Sequence, residues 1–115
     1  MKNVRFIAIA SLSMLLVACG SSKKNIALKV HSDPLGAYAL MQVKYKGKED
    51  SDWIYLGPTP VVLDKKISFD GASSVSLKMI KSGYHEQVRT WAAKDFLKEY
   101  RQQKKISWVP ALVKQ

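Results

Sequence analysis

The chain has 115 residues, enough for one domain, with 19 Lys and Arg against 9 Asp and Glu, a net charge of +10. Its single cysteine excludes an internal disulfide framework and any multi-cysteine metal site. Charged residues make up 24% with no low-complexity run, the composition of a chain that folds rather than of a disordered one.

Lys2 and Arg5 lead into residues 6–17, a short apolar run interrupted only by Ser11 and Ser13. This is the order of a secretory signal peptide: a basic start, an apolar centre, then small residues. A membrane-spanning helix needs about 20 apolar residues, and this run is too short. It closes on Leu16-Val17-Ala18-Cys19, followed by Gly20-Ser21-Ser22-Lys23-Lys24. Leu16-Val17-Ala18-Cys19 resembles the lipobox of bacterial lipoproteins. The resemblance implies cleavage before Cys19 and diacylglycerol attachment to its sulfur, the side-chain atom most readily alkylated. Two readings compete: a secreted protein cut by an ordinary peptidase, and a cytosolic chain with a buried N-terminal strand and core cysteine. The four segments in this order favour the lipoprotein.

The expected organisation is therefore a signal peptide over 1–18, a lipidated N-terminus and flexible tether over 19–24, and a β domain over 25–115. The mature chain has 97 residues and, without Lys2 and Arg5, 17 basic against 9 acidic side chains, net +8. The tether over 20–24 reaches at most ~17 Å when extended. Among lipoproteins an Asp after the cysteine retains the protein at the inner membrane. Gly20 in that place implies, by resemblance, the outer membrane of the bacterial envelope.

In chain order, Ile26, Leu28 and Val30 alternate with Ala27 and Lys29, the pattern of a half-buried strand. Residues 37–45 and 53–56 are rich in strand formers. Val61-Val62-Leu63 and Ile67-Ser68-Phe69 flank the charged Asp64-Lys65-Lys66. Val75, Leu77 and Met79 line one face, residues 85–91 read as an outer strand, and 106–109 as the last. In residues 92–103 the period changes: Ala92, Ala93, Phe96, Leu97 and Tyr100 share one helical face, and Gly, Pro and β-branched residues are absent. Thr90 is the expected cap, with Arg101, Lys104 and Lys105 complementing the dipole at the other end. Core packing is the expected role of the apolar face, with docking of a partner as the competing one. The fold class expected is mainly β: a small sandwich with one short C-terminal helix.

Three turns punctuate the strands. Pro34-Leu35-Gly36-Ala37 follows Asp33, Gly57-Pro58-Thr59-Pro60 makes a rigid extended corner, and Gly83-Tyr84 ends a reversal. Their order resembles the PEGA domain, whose features are a Pro-x-Gly-Ala turn, a Gly-x-Thr-Pro corner and a late Gly-Tyr. The resemblance covers about two-thirds of the mature chain, from Ile26 to Trp91. It implies a β-sandwich module of envelope proteins and supplies no catalytic set, since Pro34, Gly36, Gly57, Pro58, Pro60, Gly83 and Tyr84 form turns. Two segments depart from the family: the long polar tip over 46–52 and the helix. Additions to a scaffold are where specificity tends to be placed.

The chemistry points away from catalysis. Glu49, Asp50 and Asp52 lack the oxygen count and distal Glu of a calcium loop, and Lys46 and Lys48 stand beside them. His31 and His85 stand apart, and no Gly-x-Ser-x-Gly marks a nucleophile. No metal, cofactor or enzymatic activity is expected. Export argues against nucleic acid as the partner of the basic excess, leaving anionic lipid, peptidoglycan carboxylates or an acidic envelope protein. The function expected is a membrane-anchored, non-catalytic binding or structural module. The competing reading is an accessory subunit of an envelope secretion or assembly complex, and a more remote one an envelope hydrolase.

Overall fold

A computed structural model describes residues 23–49 and 51–115. Residues 1–22, on which the expected signal peptide, Cys19 and the start of the expected tether fall, and Asp50 lie outside the described residues.

The alternating segments form strands that bury one face. Strand β1 (Lys23–Val30) buries Ile26, Leu28 and Val30 and exposes Lys29. Strand β2 (Tyr38–Tyr45) turns Ala39, Met41 and Val43 inward, and β5 (Ala72–Ile80) does the same with Val75, Leu77 and Met79. Strands β3 (Ile54–Pro58), β4 (Val61–Ser68), β6 (Gln87–Ala92) and β7 (Ile106–Trp108) complete two sheets, ordered β4-β1-β7 and β3-β2-β5-β6. All neighbours are antiparallel except β1 and β7, which run parallel with Leu28 beside Ile106. Over the described residues the protein is a small, mainly β sandwich with one helix, as the periodicities predict.

Helix α1 (Ala93–Gln103) packs against β5, β6 and β7, joining one edge of the large sheet to one edge of the small. Its Phe96 is fully buried, 5.5 Å edge-on to Trp91 and 6.0 Å from Phe69 between ring centroids. Tyr100 donates its hydroxyl to the Asn25 carbonyl at 3.0 Å, tying the helix to β1. Tyr45 donates to the Ser68 carbonyl at 2.8 Å and links the sheets on the opposite side.

Three expectations need correction. Thr90 does not cap the helix: it lies in β6, its hydroxyl 2.8 Å from that of Ser76. The strand runs directly into the helix through Ala92, which has extended geometry and no side-chain cap, so the helix begins at Ala93. The charged Asp64-Lys65-Lys66 lies within one strand, β4. At an edge, β4 passes through it with Asp64 and Lys66 exposed and the half-buried Lys65 in phase with Val61, Leu63 and Ile67. Lys23 and Lys24 are not tether but strand, opposite Ser68 and Ile67, because β4 is long enough to pair with them. His85 lies outside β6, which begins at Gln87.

Candidate binding surfaces

Two of the three predicted turns meet at one hydroxyl. The turn after β1 and the corner after β3 meet at Thr59, which is 5% exposed. Its Oγ1 accepts the backbone N–H groups of Gly36 and Ala37, each at 3.0 Å, and lies 2.7 Å from Ser32 Oγ. Ser32 gives its own proton to the Pro34 carbonyl at 2.7 Å, so Thr59 is the donor between the two hydroxyls. One donor and two acceptor sites are all filled. The Thr59 N–H also binds the Ala37 carbonyl at 2.8 Å. Gly36 takes φ +89°, a region costly for residues with a Cβ, and Gly57 takes +133°. Pro58 ends an edge strand, where a missing donor is tolerated, and the peptide bonds before Pro34 and Pro60 are cis. Gly83 has φ +83° in a reversal closed by the Tyr84 N–H on the Lys81 carbonyl, at 3.0 Å. Tyr84 bridges to Lys114. Thr59 carries no catalytic partner; its role is to weld two turns.

In the polar tip, Ser51 lies along β2. Gln42 donates to the Ser51 carbonyl, and the Ser51 hydroxyl to that of Val43. This contact brings Trp53 to the outer face of the large sheet, where the Lys78 ammonium sits 4.0 Å from its ring centroid and 3.2 Å from Glu86. Tyr38 faces Ile80, Leu40 faces both Tyr55 and Lys78, and Lys78 faces Val88. Tyr38 and Tyr55, each more than half exposed, stand 6.0 Å apart and tilted by 54°. The result is an apolar platform of two tyrosines, the half-buried Trp53, Ile80 and Val88 around one paired cation. Exposed apolar residues that adjoin in this way mark an interaction surface more strongly than scattered ones.

The helix supplies a second composite. Glu99 accepts from the Trp91 indole at 3.3 Å and pairs with Arg89 at 3.5 Å, while Arg89 lies 4.3 Å from the Trp91 ring centroid. Since each group is satisfied by another, this cluster fastens helix to sheet. The apolar side of α1 is likewise turned inward by the buried Ala93 and Phe96, which leaves the sheet rather than the helix with the open apolar surface.

Among the described residues no three His, Cys, Asp or Glu side chains come together in a metal-binding group. Glu49, Asp52 and His85 are exposed and His31 is half-buried. No described helix is long and apolar enough to cross a membrane. Set against family models, curated proteins and solved structures, the chain has no significant match in any of the three.

Sequence reasoning missed the platform because its members are far apart in the chain. Tyr38, Trp53, Tyr55, Ile80 and Val88 join one face only once strand order and register are known. Trp53 preceding a strand after a polar tip was the one local signal.

Proposed function

We propose that the chain is an envelope lipoprotein, held through Cys19 at the outer membrane, whose PEGA-like β domain is a non-catalytic binding module. The observation that carries this reading is the ordered run from Lys2 to Cys19, followed four residues later by the first strand of a folded domain. Several acyl chains on one N-terminal cysteine give stable retention where a single chain gives marginal binding. The domain's exposed chemistry supports a module, since aromatic side chains share the outer face of its large sheet.

Metabolic labelling with a palmitate analogue tests the anchor. The wild type takes up label; Cys19→Ala does not, and accumulates as a larger precursor because the cysteine-dependent cleavage is lost. Label retained by the variant, or absent from the wild type, refutes the reading.

The second reading, an accessory subunit of an envelope assembly, gains support from the same platform, which suits a protein partner. Photo-crosslinking from Tyr55 separates the two. One discrete crosslinked protein favours the subunit, and attachment to cell-wall sacculus favours the module.

A further inference from the structure

The outer face of the small sheet has different chemistry. With Ile26, Leu28 and Val30 buried, the alternate residues Lys23, Asn25, Ala27 and Lys29 of β1 stand on the outside. The register sets Lys66 beside Asn25, Asp64 beside Ala27, and both Val62 and Ser107 beside Lys29. Lys105 joins Lys29, Val62 and Asp64 around one shallow depression. Four lysines thus share a face with one aspartate. None of the four makes an ion pair among the described residues. They are spread along the face rather than converging on a point, on a floor of small side chains from which Val62 projects, 73% exposed.

A dispersed positive plane of this kind complements a dispersed negative one, not a compact anion. We propose that this face lies on the anionic phospholipid headgroups of the membrane, with β1 along the surface and the aromatic platform turned away. The proposal rests on lipid attachment at Cys19. From that residue to Lys23 the chain spans at most about 14 Å when extended, so the basic face begins where the anchor holds it. Lys23 and Lys29 stand six residues apart along β1, about 20 Å at the usual rise of a strand, with Lys66 and Lys105 beside them, and all four can sit within a Debye length of the headgroups. Each basic residue so placed favours the surface roughly fivefold. The two sandwich faces then have separate duties: one seats the domain, the other meets the partner.

The test uses the full chain carrying Val62→Cys or Val88→Cys. Once Cys19 is blocked by lipid, each provides a single fluorophore site, one on each outer face. The chains are placed in vesicles of phosphatidylcholine alone or mixed with phosphatidylglycerol, with a quencher on the headgroups. The expected result is stronger quenching at position 62 than at 88 with phosphatidylglycerol, and loss of that difference in high salt or with Lys29→Glu/Lys66→Glu. Mass measurement of the same protein reports whether Cys19 carries lipid. Lipid present with equal quenching, or stronger quenching at 88, overturns the orientation and leaves the anchor standing. Lipid absent overturns the anchor, and flotation then decides the face. Salt-sensitive flotation with phosphatidylglycerol, lost in the Lys29→Glu/Lys66→Glu variant, supports it; no flotation, or capture by acidic cell-wall polymer alone, overturns it. A retained thermal midpoint in the double variant excludes misfolding, since both lysines are exposed.

Discussion

Replacing Thr59 with Val keeps the branched shape and removes one oxygen. That oxygen accepts the buried-side N–H of Ala37 and that of Gly36, and holds the hydroxyl of Ser32. Gly36 keeps a longer bond to the Thr59 carbonyl, at 3.3 Å, and Ser32 keeps Pro34. Ala37 loses its acceptor. Leaving a buried donor unsatisfied costs about 1–3 kcal/mol, and the lost hydroxyl pair adds about 1 kcal/mol. The expected destabilisation is thus about 2–4 kcal/mol, a large part of the roughly 5–15 kcal/mol that holds a domain of this size together. In urea this appears as a lower midpoint with unchanged slope, and on heating as a fall of roughly 10–30 °C in Tm. Thr59→Ser retains donor and acceptors and loses one methyl, so it costs under about 1 kcal/mol. Val within about 0.5 kcal/mol of the wild type, or Ser as damaging as Val, would refute the account of a saturated hydroxyl joining the turns.

The remaining predictions concern backbone and core. Gly83→Val costs more than ~1 kcal/mol in chemical denaturation, and backbone strain alone is responsible, since nothing lies within 4 Å of a Cβ placed there. Gly83→Asn, which tolerates positive φ, recovers part of that loss in the same assay. Phe96→Ala removes the ring between Trp91 and Phe69 and costs about 3–5 kcal/mol, measured by the same midpoint shift. Lys104→Gly raises stability by roughly 0.5–1 kcal/mol, because Lys104 ends the helix at φ +62°, a conformation glycine adopts without strain.

Elements that declare themselves through side-chain period were legible before any coordinates. Ile26, Leu28 and Val30 announced a strand, and Phe96 with Tyr100 a helix, because one buried face leaves a mark every second or every third to fourth residue. Asp64, Lys65 and Lys66 did not hide the continuity of β4, since an edge strand tolerates charge on its open side. Thr90 was misread because a cap and a strand hydroxyl look alike until Ser76 is known to lie opposite. The pairing of β1 with β7, the joining of two turns by Thr59 and the contrast between the two outer faces depend on contacts from distant parts of the chain. The proposed role of Cys19 rests on local order alone and stands apart from the fold.

The position of β1 between β4 and β7 governs the order in which the domain can be assembled. Residues 38–92 contain the whole large sheet, so β2, β3, β5 and β6 can associate once that stretch is available. The small sheet cannot close early. Its central strand is the first and one of its edges the last, about 75 residues later, a loop closure of high contact order. In a chain delivered N-terminus first, the edge of β1 along Leu28, Lys29 and Val30 therefore stays unpaired until Ile106, Ser107 and Trp108 arrive. Any pause during that wait leaves an open strand edge, and loss of the last dozen residues would leave it so permanently.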